Sequence, residues 1–285
     1  MKNNLVIALS VLFIPVLIVS CAPAPSYPRE KIVEAAKELC KKEYGVDVEL
    51  EIIGTTLGVR IPLEGLFDKE TLQIVPEAFG KVDGVMLSVS RVALSSDRSI
   101  DFYTVITYDK DVPGTEVIMT RYVPDLRRYV YGDISRGEFA KRMIFDVRFN
   151  PQGIIDAWLG GFTLEETSLD QFICEQASRR ISSEFKENKK LSSKFKIASA
   201  SMVLENEEFK LTVDIIRDGA RISELIHGTT WHEKVLDICL QKISHVIHVY
   251  DFKDFKTISA HNKFDNKTKK ITKEDINSKL KFLIF

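Results

Sequence analysis

The chain has 285 residues, enough for one large domain or two small ones, and 45% of them are hydrophobic. Its 40 basic and 41 acidic residues nearly cancel, a balance that argues against nucleic acid or an anionic membrane surface as a partner held by charge.

The N-terminus carries the plainest chemistry. Lys2 supplies a positive start, Leu5 to Ser20 form an uncharged apolar run, and Ile18-Val19-Ser20-Cys21 follows it. This arrangement resembles the lipobox of bacterial lipoproteins, with isoleucine at position 18 where leucine is usual. The resemblance implies cleavage before Cys21, removal of residues 1–20 as a signal peptide, and a diacylglyceryl group on the Cys21 thiol. The apolar run of 16 residues contains Ser10 and Pro15 and falls short of the roughly 20 needed to span a bilayer. A secretory cut after Ala24 would put Pro25 next to the scissile bond, which favours the lipid cysteine instead. Two or more acyl chains hold a protein to a membrane far more firmly than one. Ala22 stands where an aspartate resembles an inner-membrane retention signal, so the resemblance implies the periplasmic face of the outer membrane in a two-membrane host.

Residues 21–28 form a proline-rich spacer behind the lipid. From Arg29, Ile32, Ala36, Leu39 and Cys40 fall on one helical face that stops near Gly45. Val48, Leu50 and Ile52 alternate with acids, and Leu57, Val59, Ile61 and Leu63 follow Gly54-Thr55-Thr56, predicting an antiparallel hairpin. A helix is predicted through Phe79, Val82, Val85, Met86, Val89 and Val92, then strands over 100–108 and 116–123. Ser135-Arg136-Gly137-Glu138 has capping-box form. A strand through Met143, Phe145, Val147 and Phe149 ends at Asn150-Pro151.

Residues 152–164 lack a period and mark a boundary between a first unit, 29–150, and a second, 165–261. The second unit repeats the sequence of elements. A helix spans Leu169 to Ile181, capped by Thr167 or Ser168, and a hairpin turns at Glu205 to Glu208. A further helix opens at Thr230 to Glu233 in capping-box spacing, and a strand covers about 250–258. The expected class is α+β, an antiparallel sheet covered by helices, arranged as two tandem helix, hairpin, helix, strand units. Val85 to Phe102 and Val235 to Phe252 share a 150-residue offset, consistent with duplication or with chance matching of short apolar periods. Residues 262–285 are expected to be a lysine-rich solvated tail.

Cys40, Cys174 and Cys239 each lie on or beside an apolar stripe, as buried free thiols would; one disulfide is the alternative. No phosphate loop, nucleophile elbow, zincin helix or CxxC pair is present, and no cofactor or metal is expected. His245, His248 and Asp251 share helical spacing that could face a metal, with a helix-end dipole interaction as the plainer explanation. Asp109 and Asp111 beside Pro113-Gly114 fit a turn better than a calcium loop.

The segment 121–138 concentrates arginine and tyrosine, residue types enriched where proteins meet partners. Its candidate partner-surface residues are Arg121, Tyr122, Arg127, Arg128, Tyr129, Tyr131, Arg136 and Glu138. The sequence therefore points to a lipid-anchored envelope protein that binds an envelope protein or polymer without catalysis. The alternative is an envelope hydrolase with a dispersed carboxylate site drawn from Asp101, Asp125 and Glu138.

Overall fold

Alternation and helical period recur along the chain, and the computed structural model assembles them into two units, residues 1–166 and 167–285. It describes residues 27–96, 99–149, 164–217 and 231–280. The signal segment, the spacer up to Ser26, Cys21 and the non-periodic stretch through 163 lie outside the described residues.

In the first unit, helix α1 (Ile32–Tyr44) ends where Gly45 takes a left-handed φ of 66° and returns its N–H to the carbonyls of Cys40 and Lys41. Strands β1 (Glu49–Ile53) and β2 (Thr56–Leu63) form the hairpin, helix α2 (Pro76–Leu94) crosses over, and β3 (Phe102–Asp109), β4 (Thr115–Tyr122) and β5 (Ile144–Phe149) complete the sheet. Short helices α3 (Val123–Val130) and α4 (Arg136–Lys141) lie between β4 and β5. The strand order is β1-β2-β3-β4-β5. Helix residues Val85, Val89 and Val92 and strand residues Val59, Ile61, Val105, Val117 and Met119 are wholly buried in one core. Each such side chain contributes on the order of 1.5–3 kcal/mol.

The second unit has helices α5 (Leu169–Glu187) and α6 (Lys189–Ser192), the hairpin β6 (Phe195–Glu205) and β7 (Glu208–Arg217), helix α7 (Trp231–Val249), strands β8 (Thr257–Asn262) and β9 (Lys267–Thr272), and helix α8 (Lys273–Leu280). Its strand order is β6-β7-β8-β9.

The fold is α+β, as expected, but both sheets are mixed. β2 runs parallel to β3, and β7 to β8, while every other neighbouring pair is antiparallel. Alternating wet and dry residues do not distinguish the two directions. A parallel neighbour requires a long crossover, and helices α2 and α7 provide it.

The two units repeat one another bond for bond at the hairpin turn. Thr55 O accepts from Asp101 N and Phe102 N at 2.9 and 3.3 Å, and Glu207 O accepts from Lys256 N and Thr257 N at 2.7 and 3.4 Å. Beyond the parallel strands, Lys110 N donates to Leu63 O and Lys263 N to Val213 O, both at 2.8 Å. The closing helices are tied alike: Val123 N donates to Asp101 O at 2.8 Å, and Lys273 N to Lys256 O at 2.9 Å. A buried polar residue ends each parallel strand. Asp109 accepts from Phe67 N at 2.7 Å, and Asn262 exchanges two 3.0 Å bonds with the backbone of Ile215.

The offset between the units is not a constant 150. It is 155 from Pro76 to Trp231, Leu94 to Val249 and Phe102 to Thr257, and 152 from Thr56 to Glu208. The expected strand over 250–258 is also displaced: α7 continues to Val249, and residues 250–256 turn before β8. The expected tail is folded through Leu280 as β9 and α8. Its lysines read as a solvated extension because their partners are distant in sequence: Lys269 donates to Asp237 of α7 at 2.9 Å, and Lys270 pairs with Glu208 at 2.9 Å.

Segment 164–166 crosses the other end of the first sheet. A Cβ built on Gly58 would come within 2.4 Å of the Leu164 side chain, and Glu166 accepts from Thr55 N at 3.1 Å. Glycine at 58 permits that approach.

Candidate partner surface

Helix α3 starts directly after β4 because Pro124 suits the first helical turn, where its missing N–H costs nothing. Val123 and Leu126 turn inward, whereas Arg127 and Val130 turn outward. A loop closed by Gly132, φ 81°, leads to α4, whose first turn is capped by Ser135 accepting from Glu138 N at 3.2 Å. That is one half of the capping box the sequence spacing predicts; the Glu138 carboxylate accepts from Arg142 Nε at 2.9 Å.

Phe139 organises the site. The Arg121 guanidinium carbon lies 4.3 Å from the Phe139 ring centroid, and the Tyr129 ring stacks on it at 4.6 Å with an interplanar angle of 3°. The ring therefore carries both a guanidinium contact and a parallel aromatic stack. Arg121 Nε also contacts Met143 Sδ at 3.3 Å. Beneath this stack, Arg142 reaches Asp125 at 2.6 Å and Glu138 at 2.9 Å, with Arg128 3.8 Å from Asp125. Tyr122 packs at 5.1 Å from Phe102, and its burial, together with the charges of Asp101 and Asp125, pushes its phenol pKa up.

The eight sequence candidates therefore divide. Arg121, Tyr122, Arg128, Tyr129 and Glu138 are used wholly or partly within the unit, and Arg127, Tyr131 and Arg136 are exposed. Tyr131 is 80% exposed and its neighbour Val130 62%. Val130 escaped the sequence reading because one valine among arginines carries no period until α3 is known to be a helix. The outcome is a small basic and apolar surface on a base fixed by stacking and a buried ion pair.

The carboxylate alternative does not assemble as drawn. Asp125 and Glu138 converge on the Arg142 guanidinium, and Asp101 accepts from the Ser99 hydroxyl at 2.9 Å. An arginine occupies the space in which paired acids would need a substrate. Among the described residues, no three His, Cys, Asp or Glu side chains are placed to hold a metal. Asp251 instead pairs with Lys253, which holds its carboxyl below the usual range. Asp109 and Asp111 accept from Phe67 N and Gly65 N, fastening the β2–α2 connection to the β3–β4 turn.

Cys40, Cys174 and Cys239 are free and buried. Burial pushes their thiols up to about 11, about 12 and about 12. One close pair went unnoticed in sequence: His232 Nδ1 meets the Asp265 carboxylate, joining the first turn of α7 to the β8–β9 turn. Their separation of 33 positions leaves no local signal. Among the described residues no helix is long and apolar enough to cross a membrane. Comparison of the chain with protein-family models, with curated proteins and with solved structures found no match in any of the three.

Proposed function

We propose that this protein is a lipid-anchored component of a bacterial cell envelope, tethered through Cys21, that binds another envelope protein or polymer through the outer face of α3 and its following loop. The adjacent exposure of Val130 and Tyr131, flanked by Arg127 and Arg136, is the observation that carries the binding role. A tyrosine kept 80% in solvent contributes nothing to its own core, and arginine beside it supplies directional donors for a partner. The underlying Phe139 stack and Arg142 pair keep this surface preorganised, which lowers the ordering cost of association. The N-terminal segment supports the tether and, through Ala22, the periplasmic face of an outer membrane.

Two measurements test the reading. Intact-mass analysis of detergent extracts should find a mature chain starting at Cys21 and bearing lipid mass, and Cys21→Ser should leave an uncleaved precursor. Capture of envelope components by the native lipoprotein should fall about tenfold or more in the Val130→Ser/Tyr131→Ala variant, a loss of about 1.4 kcal/mol or greater. A mature chain without lipid would overturn the tether. Equal capture by the variant would overturn the surface.

A further inference from the structure

Among the described residues four strands border the two sheets, and three of them carry features that discourage pairing with another chain. β1 presents the exposed acids Glu49 and Glu51, β6 has a register shift between Ile197 and Ser199, and β9 holds Lys267, Lys269 and Lys270. Charges and bulges of this kind are how soluble proteins blunt sheet edges. β5 has no bulge, its charges Asp146 and Arg148 are of opposite sign instead of alike, and its pairing to β4 is continuous from Thr115↔Phe149 to Thr120↔Ile144. Among the described residues β5 pairs with β4 alone. Val147 and Phe149 are 51% and 64% exposed on it.

The sequence of β5 is complementary to its own reverse. Phe145-Asp146-Val147-Arg148-Phe149 laid antiparallel on a second copy, with the two-fold axis at Val147, sets Val147 opposite Val147, Asp146 opposite Arg148 and Phe145 opposite Phe149. Apolar residues meet apolar ones, and acid meets base twice. Other antiparallel registers of this strand lose one or both matches. Register also fixes which face each residue takes, since cross-strand partners share a side. Phe145, Val147 and Phe149 share the face of Met119 and Val117, on which Phe145 already packs against Phe79 of α2 at 6.3 Å. Arg148 bonds Glu116 at 3.2 Å and keeps donors for a second carboxylate.

We propose that β5 is a self-pairing strand: two copies of this chain join their β5 edges antiparallel about Val147, fusing two five-stranded sheets into one of ten. The contact is isologous, so it closes at a dimer instead of growing into a fibre. It is separate from the partner surface on α3 and survives if that reading fails.

Full-length protein in non-ionic detergent should sediment as a dimer. Val147→Lys, which sets two ammonium groups against each other at the axis, should weaken dimerisation at least about tenfold while leaving the thermal midpoint near wild type. Cysteine substitution fixes the register. Val147→Cys should form a disulfide-linked dimer under mild oxidation, because directly opposed Cβ atoms lie about 4.5–5.5 Å apart. Phe149→Cys alone should not, whereas a mixture of Phe145→Cys and Phe149→Cys chains should. A monomeric wild type, a dimer indifferent to Val147→Lys, or equal cross-linking by Val147→Cys and Phe149→Cys would each overturn the proposal.

Discussion

Arg142 and Asp125 meet at 2.6 Å with only 5% and 4% of their side chains exposed. Removing one member of a buried pair strands the other charge, which costs about 3–5 kcal/mol. Arg142→Ala should therefore lower the stability of the first unit by that amount in urea titrations. The double variant Arg142→Met/Asp125→Leu should recover a large part of it. A single-variant loss below about 1 kcal/mol would show that the pair contributes little beyond an ordinary exposed one.

Tyr129 and Tyr131 differ by two positions and should behave oppositely. Tyr129→Ala removes the ring stacked on Phe139 and should cost about 1–2 kcal/mol of stability. Tyr131→Ala, at a side chain 80% exposed, should change stability by less than about 0.5 kcal/mol. Differential scanning calorimetry of the two variants checks the contrast. Equal melting shifts would mean that the stack does not hold the loop.

Gly58 and Leu164 should be coupled. Gly58→Ala pushes a methyl into the Leu164 side chain and should cost about 1–3 kcal/mol. In a Leu164→Ala background the same substitution should cost little, since the obstructing branch has gone, although Leu164→Ala alone should lose about 2–3 kcal/mol. Thermal denaturation of the four members of this cycle gives the coupling directly. Additive losses would place the cost of Gly58→Ala elsewhere.

The three buried thiols predict an alkaline limit. Their folded-state values of about 11, about 12 and about 12 exceed the ordinary 9.0, so the folded state holds protons that the unfolded state releases. The resulting stabilisation is complete below pH 9 and is lost as pH rises through the folded values. Stability should accordingly fall between pH 9 and about 12, with a shallower slope in Cys239→Ala, measured by urea titration at several pH values. At pH 8 native protein should resist iodoacetamide at Cys40, Cys174 and Cys239, as read by peptide mass mapping. An unchanged slope would remove the Cys239 thiol as a contributor.

Much of this architecture was legible because apolar period alone decides it. The stripe from Val82 to Val92 is a helix in any fold that buries it, and the alternation from Val48 to Leu63 is a hairpin once Gly54 supplies a turn. What escaped was set by contacts distant in sequence. β2 and β3 read identically whether parallel or antiparallel. The repeat was legible as an order of elements, but hairpins and crossovers have drifted by different amounts, 152 and 155 positions, so no single offset holds. α3 spans eight residues including Pro124, too short for a period to declare itself. Which tyrosine of segment 121–138 faces solvent depended on Phe139, ten residues from Tyr129 in sequence and in parallel contact with it in space.

The parallel joint at the centre of each sheet has a kinetic meaning. Each unit contains two helix-plus-hairpin segments, and each hairpin pairs strands that follow one another in the chain. The joint, by contrast, must bring Thr56 to Phe102 and Glu208 to Thr257 across an entire crossover. Loop closure over such lengths must precede any reward from the contacts it makes. Hairpins should thus form early and the segments dock late, in both units alike. The same seam should be the line along which each unit first opens, with amide exchange faster across β2–β3 and β7–β8 than within the hairpins they join.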